Sequence, residues 1–139
     1  MGKLVWTEEL SMDSEVIDAH HGRLIHYINE LDQGLVKGHA DDRFLLMDVV
    51  EKLLDYTEYH FTAEEAYMEK YQYPELKAHS EEHEAFIDEI KRIKILIEKD
   101  SENVTTEILS YLKSWFLNHV QIIDKKYALF FKSKGIQLP

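Results

Sequence analysis

A chain of 139 residues with 45% hydrophobic content, 5 Gly and only 2 Pro fits one domain with a real core and leaves no tract to serve as a linker. Its formal charge of −11 argues against nucleic acid or an anionic membrane surface as a partner, since either would repel it. With no Cys, disulfides, Fe–S clusters, thiolate zinc sites and attached c-type haem are excluded; the absence of a leader-like N-terminus or a stretch of transmembrane length leads to the expectation of a cytoplasmic protein.

Residues 1–15 lack helical periodicity and carry Trp6 and Leu10 as their large apolar anchors, which predicts an extended arm packed on the domain. From Ile17 onward, Leu24, Ile25, Ile28, Leu31 and Leu35 recur at three- and four-residue steps, predicting a first helix over about 17–36 that ends near Gly34 to Gly38. Asp41 or Asp42 offers an N-cap to a second helix over about 42–71, with Leu46, Val49, Val50, Leu53, Tyr56, His60, Glu64 and Met68 sharing a face. Pro74 suits the first turn of a third, over about 74–98, whose face reads Leu76, His79, His83, Phe86, Ile90, Ile93 and Ile97. After Lys99-Asp100-Ser101-Glu102-Asn103, a fourth helix over about 104–133 carries Ile108, Leu112, Trp115, His119, Ile122 and Phe130, with Gly135 as its stop. Nothing reads as a strand. The expected fold is all-α: an up-down-up-down antiparallel four-helix bundle with an extended N-terminal arm.

His60 and Glu64 are four residues apart, as are His79 and His83, so each pair projects from one face of its helix. Facing each other, they supply three neutral imidazoles and a carboxylate, a donor set suited to a transition metal rather than to calcium or magnesium. The bundle topology adds to this set. His21 lies near the start of the first helix, and His119 and Asp124 lie in the second half of the fourth, so all seven candidates fall toward one end. A lone buried histidine is ordinarily a hydrogen-bonded core residue, but an apolar core would not use so many polar groups without a common partner.

His21 shares a face with Ile17, Leu24, Ile25 and Ile28, whereas His20 is turned about 100° away toward Arg23 and Tyr27, so His21 is favoured as the ligand of the two. His26 and His39 read as solvated residues, and Glu65, Glu81 and Glu82 as ordinary exposed helix charges. Phe61, Phe86, Trp115 and Phe116 read as core. Asp124 fits least well: five residues beyond His119 is about 140° around an ideal helix, so the two reach one site only by flanking it from different sides or across a π-bulge.

The chain resembles the hemerythrin family, specifically the single-domain bacterial hemerythrins. The resemblance runs from Trp6-Thr7-Glu8-Glu9-Leu10-Ser11 through Ile17-Asp18-Ala19-His20-His21 and His60-Phe61-Thr62-Ala63-Glu64-Glu65, then His79 and His83, to Trp115-Phe116-Leu117-Asn118-His119, Asp124 and Tyr127. The family usually has Gln where this chain has His20. The resemblance implies a non-haem di-iron centre: His79, His83 and His119 on one iron, His21 and His60 on the other, and Glu64 and Asp124 bridging both beside a solvent-derived oxo or hydroxo group. The second iron would keep an open position for dioxygen, and Leu24, Phe61, Trp115 and Leu117 would line the pocket there, although plain core packing accounts for them equally.

The implied function is reversible dioxygen binding for storage, delivery or scavenging, without catalytic residues. Ferritin-like di-iron oxidases use a Glu on each of two helices and Glu-x-x-His on the other two, unlike the His-x-x-x-Glu and His-x-x-x-His pairs here. A di-iron oxidase or peroxidase, a two-zinc hydrolase, and oxygen, redox or nitric oxide sensing through a separate partner are the alternatives.

Overall fold

The computed structural model describes residues 3–36, 43–100 and 104–139. A 3-10 turn, Glu8–Leu10, lies in the arm, and the α-helices are α1 (Glu15–Val36), α2 (Arg43–Lys70), α3 (Leu76–Lys99), α4 (Thr106–Asn118) and α5 (Lys125–Ser133), with a π-helical turn, His119–Asp124, joining α4 and α5 into one continuous rod. Four rods therefore form an all-α bundle, and no strand occurs among the described residues. Along its length α2 packs on α1 and α3, and α3 touches α4. A partly buried ion pair, Lys113 Nζ to Asp32 Oδ2 at 2.7 Å, ties α4 back to α1. The expected N-caps Asp41 and Asp42, and His39, lie outside the described residues. No described helix is long and apolar enough to cross a membrane.

Local chemistry sets the helix ends. Ser14 caps α1, its Oγ accepting from the Ile17 N–H at 3.1 Å, and Thr105 caps α4 by accepting from Ile108 N–H at 3.3 Å. Gly135 stops α5 in the left-handed conformation (φ 70°), with Ile136 N–H bonded to Phe131 C=O and Gly135 N–H to Lys132 C=O. The same pattern closes α2, where Tyr73 N–H reaches Met68 C=O and Gln72 takes the left-handed position (φ 55°) without the help of glycine. This closure displaces Pro74 from its expected place in the third helix. Tyr73 C=O accepts from Leu76 N–H, so Pro74 belongs to the turn and α3 starts at Leu76.

The arm is better anchored than expected. Leu4 and Met12 are buried with Leu10, whereas Trp6 is only partly buried. The Asn29 side chain clamps Leu4 as a peptide would, accepting from its N–H at 2.9 Å and donating to its C=O at 2.8 Å. On α4 the buried stripe is Leu109, Leu112 and Phe116 rather than the expected Ile108, Leu112 and Trp115, and Ile122 is exposed. The expected stripe ran in one phase through to Phe130, and beyond Asn118 the π-helical turn interrupts that phase.

Two apolar clusters make the core. The larger runs from Leu24 and Phe61 through Phe86 and Phe116 toward Ile97 and Leu109; the smaller gathers Met12, Ile17, Met68, Tyr73, Tyr127, Phe131 and Leu138. Where the larger cluster gives way to the smaller along the rods stand His21, between Ile17 and Leu24, Glu64, between Phe61 and Met68, and Asp124, between Val120 and Tyr127. A polar layer is thus sealed between two apolar ones.

Candidate metal centre

One turn of α2 separates His60 from Glu64, and His60 Nε2 stands 2.8 Å from Glu64 Oε1. His79 and His83, one turn apart on α3, bring their rings to 4.6 Å. Glu64 Oε1 is 3.6 Å from His83 Nε2, so a single carboxylate oxygen faces both α2 and α3. Asp124 spans the other diagonal: its Oδ1 lies 2.9 Å from His79 Nε2 and 3.0 Å from His119 Nε2, and its Oδ2 lies 3.2 Å from His21 Nε2. All seven side chains are buried, none more than 3% exposed.

These atoms are close without being hydrogen-bonded. Nε2 of all five histidines, Glu64 Oε1 and both oxygens of Asp124 are buried and have no hydrogen-bond partner. Leaving so many buried polar atoms unsatisfied is costly, and a shared cation would take their lone pairs. The spacing agrees, because donors about 2.1 Å from a shared ion and at right angles to each other stand about 3.0 Å apart. Two overlapping groups are suitable: Glu64, His79, His83, His119 and Asp124, and His21, His60 and Glu64, the donor atoms of each lying within 4.8 Å of one another. Glu64 belongs to both groups, and Asp124 faces histidines of both.

Electrostatics keep the carboxylates charged. Burial and the neighbouring Asp124 push Glu64 upward, but the imidazoles of His60 and His83 outweigh them and hold it down at about 2. Asp124, which burial alone would raise, is likewise held well below its ordinary range by His119, His21 and His79. Tyr127 donates its hydroxyl proton to Glu64 Oε2, and burial followed by the two carboxylate charges pushes its own ionisation well above the usual range.

Three residues next to the ligands have roles that helical spacing did not reveal. Glu65, expected as an exposed charge, is partly buried with Oε2 2.9 Å from His83 Nδ1, and that hydrogen bond is the chief reason its carboxyl is held below the usual range. His20 points at α2, its Nδ1 2.9 Å from His60 Nδ1, and burial lowers its pKa. The rings of Phe116 and His21 stand perpendicular, 6.2 Å apart. Of the residues expected to line a pocket, Phe61 stacks on His83 (3.6 Å, 4°) and also meets His60 at 5.8 Å, and Trp115 stacks on His119 (4.6 Å, 10°). Leu24 is in the large core cluster and Leu117 is packed against it. The one sequence signal for Glu65 and His20 is adjacency: each is one step, about 100°, from an inward-facing ligand and so faces the next helix.

Residues 12–129 match the family profile described as the hemerythrin HHE cation binding domain. Among curated proteins, bacteriohemerythrin from Pseudomonas aeruginosa is 35% identical over 129 residues, 92% of this chain and 81% of that protein. Bacteriohemerythrin from Stenotrophomonas maltophilia is 33% identical over 128 residues with the same coverage, and myohemerythrin from Theromyzon tessulatum is 30% identical over 124 residues, 88% of each chain. A crystal structure of wild-type hemerythrin superposes with a TM-score of 0.80 at 23% identity, covering 91% of this chain and 96% of that one, and so shares the fold. With seven buried donors on four rods and a profile match across most of its length, the chain belongs to the hemerythrin family.

Proposed function

We propose that this protein binds dioxygen reversibly at a non-haem di-iron centre, as a binding protein for storage, delivery or scavenging rather than an enzyme. The observation that carries the reading is the placing of Asp124, one oxygen toward His79 and His119 and the other toward His21. A carboxylate so placed joins two ions. In this reading His79, His83 and His119 hold one iron, His21 and His60 hold the other, and Glu64 and Asp124 serve both.

Bound iron supplies electrons that dioxygen can borrow and return. The chain supplies the conditions for return. The His21 and His60 side has one imidazole fewer, so room for an external ligand falls there, beside Phe116. Five neutral imidazoles and two carboxylates give fewer anionic donors than the Glu-rich ferritin-like set, which favours binding over oxidation of a substrate. Release also requires that no acid give up a proton beside the site. Tyr127, the hydroxyl nearest Glu64, is committed to that carboxylate and held protonated by burial.

The test is an optical spectrum of the iron-loaded protein, reduced without air, exposed to oxygen and returned to low oxygen pressure. Charge-transfer bands that come and go with oxygen support a carrier. An irreversible ferric product overturns it in favour of an oxidase, peroxidase or redox sensor.

A further inference from the structure

The five inward-facing imidazoles differ in what stands behind them. Nδ1 of His21, His79 and His119 has no hydrogen-bond partner in the described protein. His83 Nδ1 is backed by the Glu65 carboxylate and His60 Nδ1 by the His20 imidazole, each at 2.9 Å. Each of the two donor groups therefore has one histidine tied from outside, the three-histidine group by an anion and the His21 and His60 group by a neutral ring.

His20 is built into that place. It is only 8% exposed, and its ring is walled by Tyr56 (5.8 Å, edge-on at 86°) and Tyr59 (5.4 Å). Its neighbour His21 faces inward from the same turn, so one turn of α1 supplies a donor to the site and a brace to a donor on α2. The chemistry follows from tautomers. An imidazole that offers Nε2 to a metal carries its proton on Nδ1, so His60 donates and His20 Nδ1 accepts, which places the His20 proton on Nε2. A neutral acceptor draws less on that N–H than a carboxylate does, leaving His60 a poorer electron donor than His83.

We propose that His20 is a positioning residue that fixes the tautomer and ring orientation of His60 and keeps the His21 and His60 metal position the less electron-rich of the two. The inference rests on the two-metal reading above, but it depends on neither iron nor oxygen, so cobalt(II) is the probe. In cobalt-loaded protein the Nδ1–H of each ligand histidine gives its own paramagnetically shifted proton resonance. His20→Leu, which removes the acceptor, is expected to speed solvent exchange of one such proton at least tenfold. It should also speed release of one of the two cobalt ions to a competing chelator by about 10–100-fold, the range for losing such a partner. His20→Gln keeps an acceptor and is expected to restore both. Glu65→Gln should instead speed release of the other ion.

Unchanged exchange and release in His20→Leu overturn the proposal. So does equal acceleration of both ions, or failure of His20→Gln to restore them, since a residue that merely fills space would give those results. Should His20→Leu not fold, His20→Gln against wild type still decides, by retaining or losing the slow Nδ1–H exchange. An iron protein that fails to bind oxygen reversibly leaves this experiment intact.

Discussion

His119 Nε2 lies 3.0 Å from Asp124 Oδ1 although the two residues are five apart in the chain. The π-helical turn His119–Asp124 makes this possible, because its wider winding returns the fifth residue to the face of the first. Such a turn corresponds to one extra residue in an α-helix, and Gln121 within it is exposed. Deleting Gln121 is expected to give an unbroken α-helix with the two side chains four apart on one face, so metal analysis should still find two irons per chain. Loss of metal would mean that the wide turn, and not the phase it restores, sets the site.

Asp124→Asn keeps the size of the side chain and removes the charge that faces His21, His79 and His119. Iron per chain, measured after anaerobic loading, is expected to fall below two, because Asp124 is the only one of the two carboxylates that has both oxygens among the unsatisfied buried atoms. Full occupancy in this variant would remove Asp124 from the bridging role.

Tyr127→Phe takes the hydroxyl donor from Glu64 Oε2 in a fully buried setting. Urea unfolding of the metal-loaded protein is expected to show a loss of about 1–3 kcal/mol, the cost of leaving a buried acceptor unmatched. Metal content should stay at two. A variant as stable as the parent would show that Glu64 needs no such donor.

In metal-stripped protein, burial pulls the His119 pKa down but the charge of the neighbouring Asp124 carboxylate more than offsets it, so the folded value is raised above the ordinary one. A raised value means that this contribution to stability is complete below pH 6.5 and is lost as pH rises through the folded pKa. Metal binding demands the neutral ring, so the loaded protein gains affinity over the same interval. Melting temperatures of the stripped and loaded forms should therefore diverge as pH rises from 6.5. Parallel curves would show that His119 does not change protonation on loading.

Phe116 stands perpendicular to His21, whereas Trp115 stacks on His119. Phe116→Leu, which opens space on the two-histidine side, is expected to change the oxidation rate of the oxygenated iron protein more than Trp115→Leu does. Equal effects, read by loss of the oxygen-dependent absorbance, would mean that the external ligand does not sit beside His21.

Apolar recurrence at three and four residues sufficed for four helices, because an amphipathic helix must turn one stripe toward a core. The same periodicity put His21, His60, Glu64, His79, His83 and His119 on inward faces, and the alternation of up and down rods brought them to one end. Tertiary structure decided the rest. The winding between His119 and Asp124 depends on backbone hydrogen bonding that side-chain pattern does not report, and packing decided that α4 buries Leu109 and Phe116 rather than Ile108 and Trp115. The partners of His60 and His83 were hidden for a related reason. His20 and Glu65 point sideways, and a sideways residue acquires a role only from the atom that the neighbouring helix places opposite it. Periodicity tells which face of a helix is buried; only packing tells what that face meets.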